Sequence, residues 1–427
     1  MLSFSFIRNF STLFVGLALG LSSCSSATAQ PPTSVVDNYI VVLRDSAEPL
    51  AVAREHANAH ALNVAFIYEH ALKGYSARIP AHRVSEVARD SRVLFISPDR
   101  TVKVSGQTMP TGIDRIQADL SSTKSGDGAG SVNVAVAIID TGIDTTHQDL
   151  NVVGGKNCVA GSRSYSDGNG HGTHVAGTVA AKDNSIGVMG VAPGAPLYAV
   201  RVLDDTGSGS WSSVICGIDW VSANTAKNRI KIANMSLSGV GADDGNCGNT
   251  NNDALHKAIC NSVAKGVMYV VAAGNDSKDI ATAVPAAYNE VLTVTALADY
   301  NGNQSGGTAS TCGANVEDAA ASFSNFTVSS STDATHTIAA PGSCITSTWK
   351  GNSYNTLYGT SMAAPHVAGA AALCIGSGTC SGLTPYQLLL KLKTDATNQP
   401  ASYGFIGDPN SPNGTRYYGH LLYGGSY

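Results

Sequence analysis

Residues 132–140 read VNVAVAIID, a nearly continuous apolar run that ends on one carboxylate. Four later runs share its character: PLYAVRVL (196–203), KIANMSLS (231–238), GVMYVVAAGN (266–275) and VLTVTAL (291–297). Between them lie Ala/Gly-rich stretches of helical composition. A strand with one wet face alternates apolar and polar residues, whereas a strand covered on both faces does not. From about residue 110 onward the runs therefore predict an α/β fold, a parallel sheet covered by helices on both faces. Such sheets collect their chemistry at the carboxyl ends of the strands. Asp140 stands at one such end and Asn275 at another.

Upstream, residues 36–104 have a different rhythm. YIVVL, VAFIYEH, GYSARIP and VLFISP read as strands, and EPLAVAREHANAHAL and AHRVSEVARD as helices. The order βαββαβ predicts a small α+β, ferredoxin-like unit with two helices on one face. TVKVSGQTMPTG (101–112) is polar and turn-rich and reads as a linker.

The 427 residues, 43% of them hydrophobic, are enough for a large core, and the 45 glycines with 13% charged residues describe a compact, loop-rich protein. A net charge of -5 gives no reason to expect nucleic-acid binding. Arg8 followed by STLFVGLALGL reads as an export signal, with ATA (27–29) suited to cleavage before Gln30. LSSC, ending at Cys24, is also similar to a bacterial lipoprotein box, so lipid anchoring through Cys24 stands beside free secretion. The other eight cysteines are an even number in an exported chain, which favours disulfides. Close spacing pairs Cys247 with Cys260 and Cys374 with Cys380. Elimination leaves Cys312–Cys344 and Cys158–Cys216.

HGTHVAGT (171–178) places two histidines three residues apart, a spacing that can share one helical face and hold zinc. The zinc-protease pattern needs Glu after the first His and a second His four residues on, and Gly172 stands there instead. Ser361, in YGTSMAAPHVAGAAAL, precedes a helical run and can be an ordinary N-cap. Asn275 can be an ordinary turn residue. Taken together, Asp140, His171 and Ser361 supply an orienting carboxylate, a base and a nucleophile. Asn275 then supplies an amide donor for a developing oxyanion, alongside the Ser361 N–H.

IIDTGID, HGTHVAGT, AAGN and GTSMAAPHVAGAAAL together resemble the subtilisin-like serine proteases over roughly residues 107–425. The resemblance implies a subtilisin-like peptidase domain (107–427) that acts on polypeptides as a monomer. In it His174 is structural. Residues 36–104 resemble the family's inhibitor-type propeptide, which implies a self-cleaved zymogen after a signal peptide (1–29), with cleavage near Val104 to Gln107. AAKDNSIGVMGVAPGA (180–195) is similar to the family's calcium loop. It implies a structural Ca²⁺ held by Gln107, Asp149 and Asn184 side chains and by the carbonyls of Lys182, Ile186 and Val188; a plain surface turn is the other reading. SWSSV and SLSG resemble the strands that flank a bound peptide. Trp211, Val214 and Leu237 would line an apolar subsite for the fourth residue before the cut. Ser236, Leu237 and Ser238, with Ala272, Ala273 and Gly274, would wall the pocket for the residue just before it, which implies a broad apolar or aromatic preference. Ser238 replaces a more usual glycine, and residues 240–253 and 299–322 resemble insertions. Two rival readings are an inert subtilase-fold binding protein at the cell surface and a zinc hydrolase using His171 and His174.

Overall fold

The computed structural model describes residues 38–99, 106–161, 163–303, 308–310, 312–313 and 315–427. The predicted export signal with Cys24, and residues 100–105, lie outside the described residues. The chain divides into two compact units, Met1–Lys103 and Val104–Tyr427.

In the first unit β1 (Asn38–Leu43), α1 (Pro49–His60), β2 (Asn63–Tyr68), β3 (Gly74–Arg78), α2 (Ala81–Val87) and β4 (Val93–Pro98) follow the predicted βαββαβ order. The strands form one antiparallel sheet, β2-β3-β1-β4. Pro49 opens α1 with its φ already helical, and Ala61 closes it in a left-handed turn at φ 53°. Val52 and Ala53 of α1 and Val87 of α2 share a core with Val41, Tyr75, Ala77 and Ile79.

The second unit begins with α3 (Thr111–Arg115), β5 (Ala135–Asp140), β6 (Val152–Asn157), α4 (His171–Ala180), β7 (Leu197–Arg201) and α5 (Trp211–Ala223). Next come β8 (Ile230–Met235), β9 (Gly239–Val240), α6 (Ala254–Val263), β10 (Met268–Ala272), β11 (Ala283–Val284) and β12 (Leu292–Ala298). It continues through β13 (Ala319–Ala320), β14 (Thr327–Val328), β15 (Thr337–Pro341), β16 (Ile345–Trp349) and β17 (Ser353–Leu357) to α7 (Thr360–Gly376), α8 (Pro385–Thr397) and β18 (Arg416–Tyr417). The main sheet runs β13-β12-β10-β8-β5-β7-β6, with β15 also on β12. Its pairings are parallel except the short one between β12 and β13.

All five apolar runs are strands of this sheet, and β5 shows why they read that way. Ala135, Ala137 and Ile139 pack with Val214, Ile218 and Val221 of α5 and Ile259 of α6. Val136 and Ile138 point the other way and pack with Val175 and Val179 of α4 and Val367 of α7. Both faces are dry, so no position needs a polar residue. The described half of the predicted linker, 106–112, differs from the expectation. Thr108 bridges to Val188 and α3 starts behind Pro110, so this stretch is part of the second unit. The four disulfides are Cys158–Cys216, Cys247–Cys260, Cys312–Cys344 and Cys374–Cys380, as spacing and elimination predict.

Candidate active site

Strands β10, β8 and β5 are neighbours in that order and run parallel. Their carboxyl ends therefore sit side by side. Asp140 ends β5, Ser236 follows β8, and Ala273 to Asn275 follow β10. His171 opens α4, while Ser361 is the second residue of α7, which packs across β8 and β10.

Asp140 is fully buried, and its Oδ1 accepts from His171 Nδ1 at 2.8 Å and from the Thr141 N–H at 2.7 Å. The bond to Nδ1 fixes the imidazole so that a neutral ring carries its free lone pair on Nε2. Burial alone lowers the His171 pKa; the adjacent Asp140 carboxylate outweighs it and leaves the value above that of an ordinary imidazole. The start of α4 is braced by Asp167, a residue that sequence reasoning missed. Its Oδ1 accepts from Thr141 Oγ1, Asn169 N and Gly170 N, and its Oδ2 from the N–H and hydroxyl of Thr173. One carboxylate thus satisfies the open N–H groups around the start of α4 and favours its dipole.

His174 is fully buried one turn on, and its Nε2 faces the carbonyls of Ile345 and Asn355 at 3.0 and 3.1 Å. Burial, then the neighbouring His171, push its pKa down to about 3. The two rings engage separate partners, so they do not converge on one ion as the zinc reading requires.

Ser361 Oγ donates to the carbonyl of Ser236 at 3.3 Å rather than to His171. The helix is held in place by a consequence of Pro365. Proline has no N–H, so the carbonyl four residues back, that of Ser361, gets no helical bond. Ser236 Oγ donates to that carbonyl at 2.8 Å and in turn accepts from Asn234 Nδ2 at 2.9 Å. The end of β8 and the start of α7 are thereby joined on both sides of Ser361. Gly359, at φ 145°, supplies the turn into α7 that only glycine adopts readily.

Asn275 is exposed, yet its orientation is fixed. Its Oδ1 accepts from the Thr360 N–H at 2.8 Å and Thr360 Oγ1 at 3.0 Å, which leaves Nδ2 to donate elsewhere. Asn325, also missed in the sequence, is buried and braces the same turn by accepting from Asp276 N and Lys278 N and donating to the Ala273 carbonyl.

A cleft of about 800 Å³ lies beside His171, lined among others by Trp211, Val214, Ser236, Leu237 and Ser238. Ala272, Ala273 and Gly274 are buried at the end of β10 and lie outside this lining. SWSSV departs from its expected strand. Ser210 and Ser213 exchange side-chain and backbone bonds in a reciprocal cap, so α5 begins at Trp211. Of SLSG, only Gly239 enters a strand, β9, which pairs with β11.

The profile described as "Subtilase family" matches residues 131–414, and "Peptidase inhibitor I9" matches residues 38–105. The chain belongs to the subtilase family. Subtilisin DY of Bacillus licheniformis is 40% identical over 300 residues, which span 70% of this chain and 94% of that protein. Subtilisin NAT of Bacillus subtilis subsp. natto is 37% identical over 358 residues, 82% of this chain and 83% of that protein. A solved structure described as a cold adapted subtilisin-like serine proteinase superposes with a TM-score of 0.54 at 31% identity, covering 75% of this chain and 99% of that one. This subtilase is a serine-type endopeptidase with an inhibitor-type propeptide.

The loop similar to the subtilase calcium site gathers its named residues. Gln107 Nε2 donates to the carbonyls of Lys182 and Val188 at 2.5 and 2.7 Å, and its Oε1 accepts from Asn184 N. Asp149, fully buried, accepts from Asn184 Nδ2, Val188 N and Tyr354 Oη, while Asn184 Oδ1 accepts from Ile186 N. Burial raises the Asp149 pKa, and these hydrogen-bond partners are all neutral. The amide NH₂ of Gln107 sits where two carbonyls converge, a position suited to positive charge. Turning over the Gln107 amide together with that of Asn184, whose Nδ2 faces Asp149, would present oxygens throughout, as Ca²⁺ prefers.

Proposed function

We propose that this subtilase is a secreted endopeptidase in which Asp140, His171, Ser361 and Asn275 carry the reaction. The 2.8 Å bond between Asp140 Oδ1 and His171 Nδ1 is the observation that supports this reading. His171 Nε2 takes the Ser361 hydroxyl proton as Oγ attacks the substrate carbonyl. The oxyanion accepts from the Ser361 N–H, which as one of the first in a helix has no helical partner, and from Asn275 Nδ2. His171 then returns the proton to the leaving amine, and water repeats the sequence on the acyl-enzyme. Asp140 remains a carboxylate throughout and stabilises the imidazolium.

Residues 236–238 have no strand partner within the described chain and would receive substrate as an added strand. Trp211, Val214 and Leu237 supply an apolar subsite, which favours apolar or aromatic residues. Calcium at Gln107, Asp149, Lys182, Asn184, Ile186 and Val188 supplies charge neutralisation and a cross-link between the start of the mature chain and the rest. In this reading residues 1–29 are a signal, 36–104 an inhibitor released by cleavage near Val104 to Gln107, and 107–427 the mature enzyme. The four disulfides suit an oxidising exterior.

A fluorophosphonate probe tests the assignment. Mature enzyme should be labelled at Ser361 with loss of peptide hydrolysis, and Ser361→Ala should accumulate as unprocessed proprotein. Active enzyme left unlabelled at Ser361 would remove the assignment, and a sample both unlabelled and inactive would support the inert-binding reading. Intact mass and N-terminal sequencing of the exported protein distinguish free secretion from lipid on Cys24.

A further inference from the structure

The loop at residues 240–253 surrounds a histidine that the mechanism does not use. His256, in the first turn of α6, is fully buried. Its Nε2 lies 2.8 Å from Glu290 Oε2. Its Nδ1 faces Asp244 Oδ1 at 3.2 Å and Asp243 Oδ1 at 3.4 Å. Neither contact has hydrogen-bond geometry, and Nδ1 and Asp243 Oδ1 are buried without a hydrogen-bond partner among the described residues. A buried ring nitrogen that faces two carboxylate oxygens without a hydrogen bond to either is left unsatisfied while the ring is neutral, which is costly.

The spacing suggests what is missing. Two ligands on a tetrahedral ion with bonds of about 2.05 Å stand about 3.3 Å apart, since the edge is about 1.63 times the bond. We propose that His256 Nδ1, Asp243 Oδ1 and Asp244 Oδ1 bind a divalent transition-metal ion, zinc above all, separately from the catalytic groups and the calcium loop. Nitrogen in the set favours zinc over calcium. Water takes the fourth position.

The surroundings hold the set in place. Glu290 accepts the Nε2 proton, fixing the tautomer that leaves Nδ1 free for metal, as outer carboxylates do for ligating histidines. The Tyr288 ring stacks on the imidazole at 4.1 Å with 1° between the planes. Tyr288 Oη donates at 2.5 Å to Asp253, the N-cap of α6. Asp244 is anchored by the N–H groups of Asn246, Gly248, Thr250 and Asn251. Asp243 Oδ2 accepts from Asn289 Nδ2. The Cys247–Cys260 disulfide joins the loop to α6. Three carboxylates around one imidazole keep a charge of -2 even when the ring is protonated, so a divalent ion relieves an imbalance that the proton cannot.

Mature enzyme kept in calcium is equilibrated with zinc chloride, gel-filtered in calcium buffer and assayed for zinc by mass spectrometry. The expected result is one zinc per wild-type chain. Asp243→Asn, which preserves shape and the contact with Asn289, should bind at least tenfold more weakly. Glu290→Gln, which leaves all three ligands, should weaken binding about 10–100-fold. A wild-type chain that retains no zinc at micromolar free metal overturns the site. So does zinc retention that Asp243→Asn leaves unchanged, or that excess calcium competes away.

Discussion

The hydrogen bonds of Thr360 make the oxyanion assignment testable beyond a single deletion. Asn275→Ala removes the donor, and loss of one such donor lowers kcat by about 10²–10³, or about 2.7–4 kcal/mol. Thr360 touches no substrate in this reading. Its N–H and hydroxyl both bind Asn275 Oδ1, at 2.8 and 3.0 Å, and its Oγ1 also accepts from the Gly274 N–H at 3.1 Å. Thr360→Val keeps the shape and the backbone bond but removes the hydroxyl from both. One buried hydrogen bond with an orphaned partner is worth about 1–2 kcal/mol, so kcat should fall about 5- to 30-fold with KM little changed. If Thr360 acts through the amide, most of that loss disappears in the Asn275→Ala background. Initial rates on a peptide anilide for wild type, both single variants and the double variant complete the cycle. Equal Thr360→Val losses in both backgrounds would refute the coupling, and a loss confined to KM would refute the oxyanion role.

Three further outcomes follow from the same geometry. The base must be neutral and the pKa of His171 is raised, so kcat/KM should fall on acidification with a midpoint above about 6.5; a midpoint at or below that value contradicts the coupling to Asp140. Calcium should lengthen the half-life at elevated temperature, and Asp149→Asn should remove much of that protection while leaving initial kcat nearly intact; identical half-lives in calcium and in chelator would discard the calcium site. Separated residues 36–104 should inhibit the mature enzyme in trans, more weakly after trimming from residue 101 and fading as the segment is digested; no inhibition at large molar excess of folded segment would deny it that role.

Much of this was legible because each proposed catalytic residue stands where an element begins or ends. Asp140 closes an apolar strand, His171 and Ser361 open Ala/Gly-rich helices, and the motifs around them are long. The supporting residues were not legible. Asn325 binds backbone groups of residues 273–278, 47 to 52 residues away, and Thr360 binds the Asn275 side chain 85 residues away. Such bonds leave no local period or spacing to read. β6, VVGGKN, carries two glycines and a lysine and so lacks the apolar run of its neighbours. SWSSV carries a signal for its helix, two serines three apart that form the reciprocal cap.

HGTH owes its form to packing as much as to chemistry. At Gly172 a β-carbon would collide with the carbonyl of Gly142 and come within 3.1 Å of the Asp140 side chain. The Gly172 N–H donates to Thr141 Oγ1 at 2.9 Å, and that hydroxyl donates to Asp167. The glycine therefore lets α4 approach the end of β5 closely enough for His171 to reach Asp140. A zinc-binding helix of the Glu-containing kind needs a carboxylate at this position, and here there is no room even for a methyl group. The residue that argued against zinc in the sequence is thus the one whose absence of a side chain makes the Asp140–His171 bond attainable.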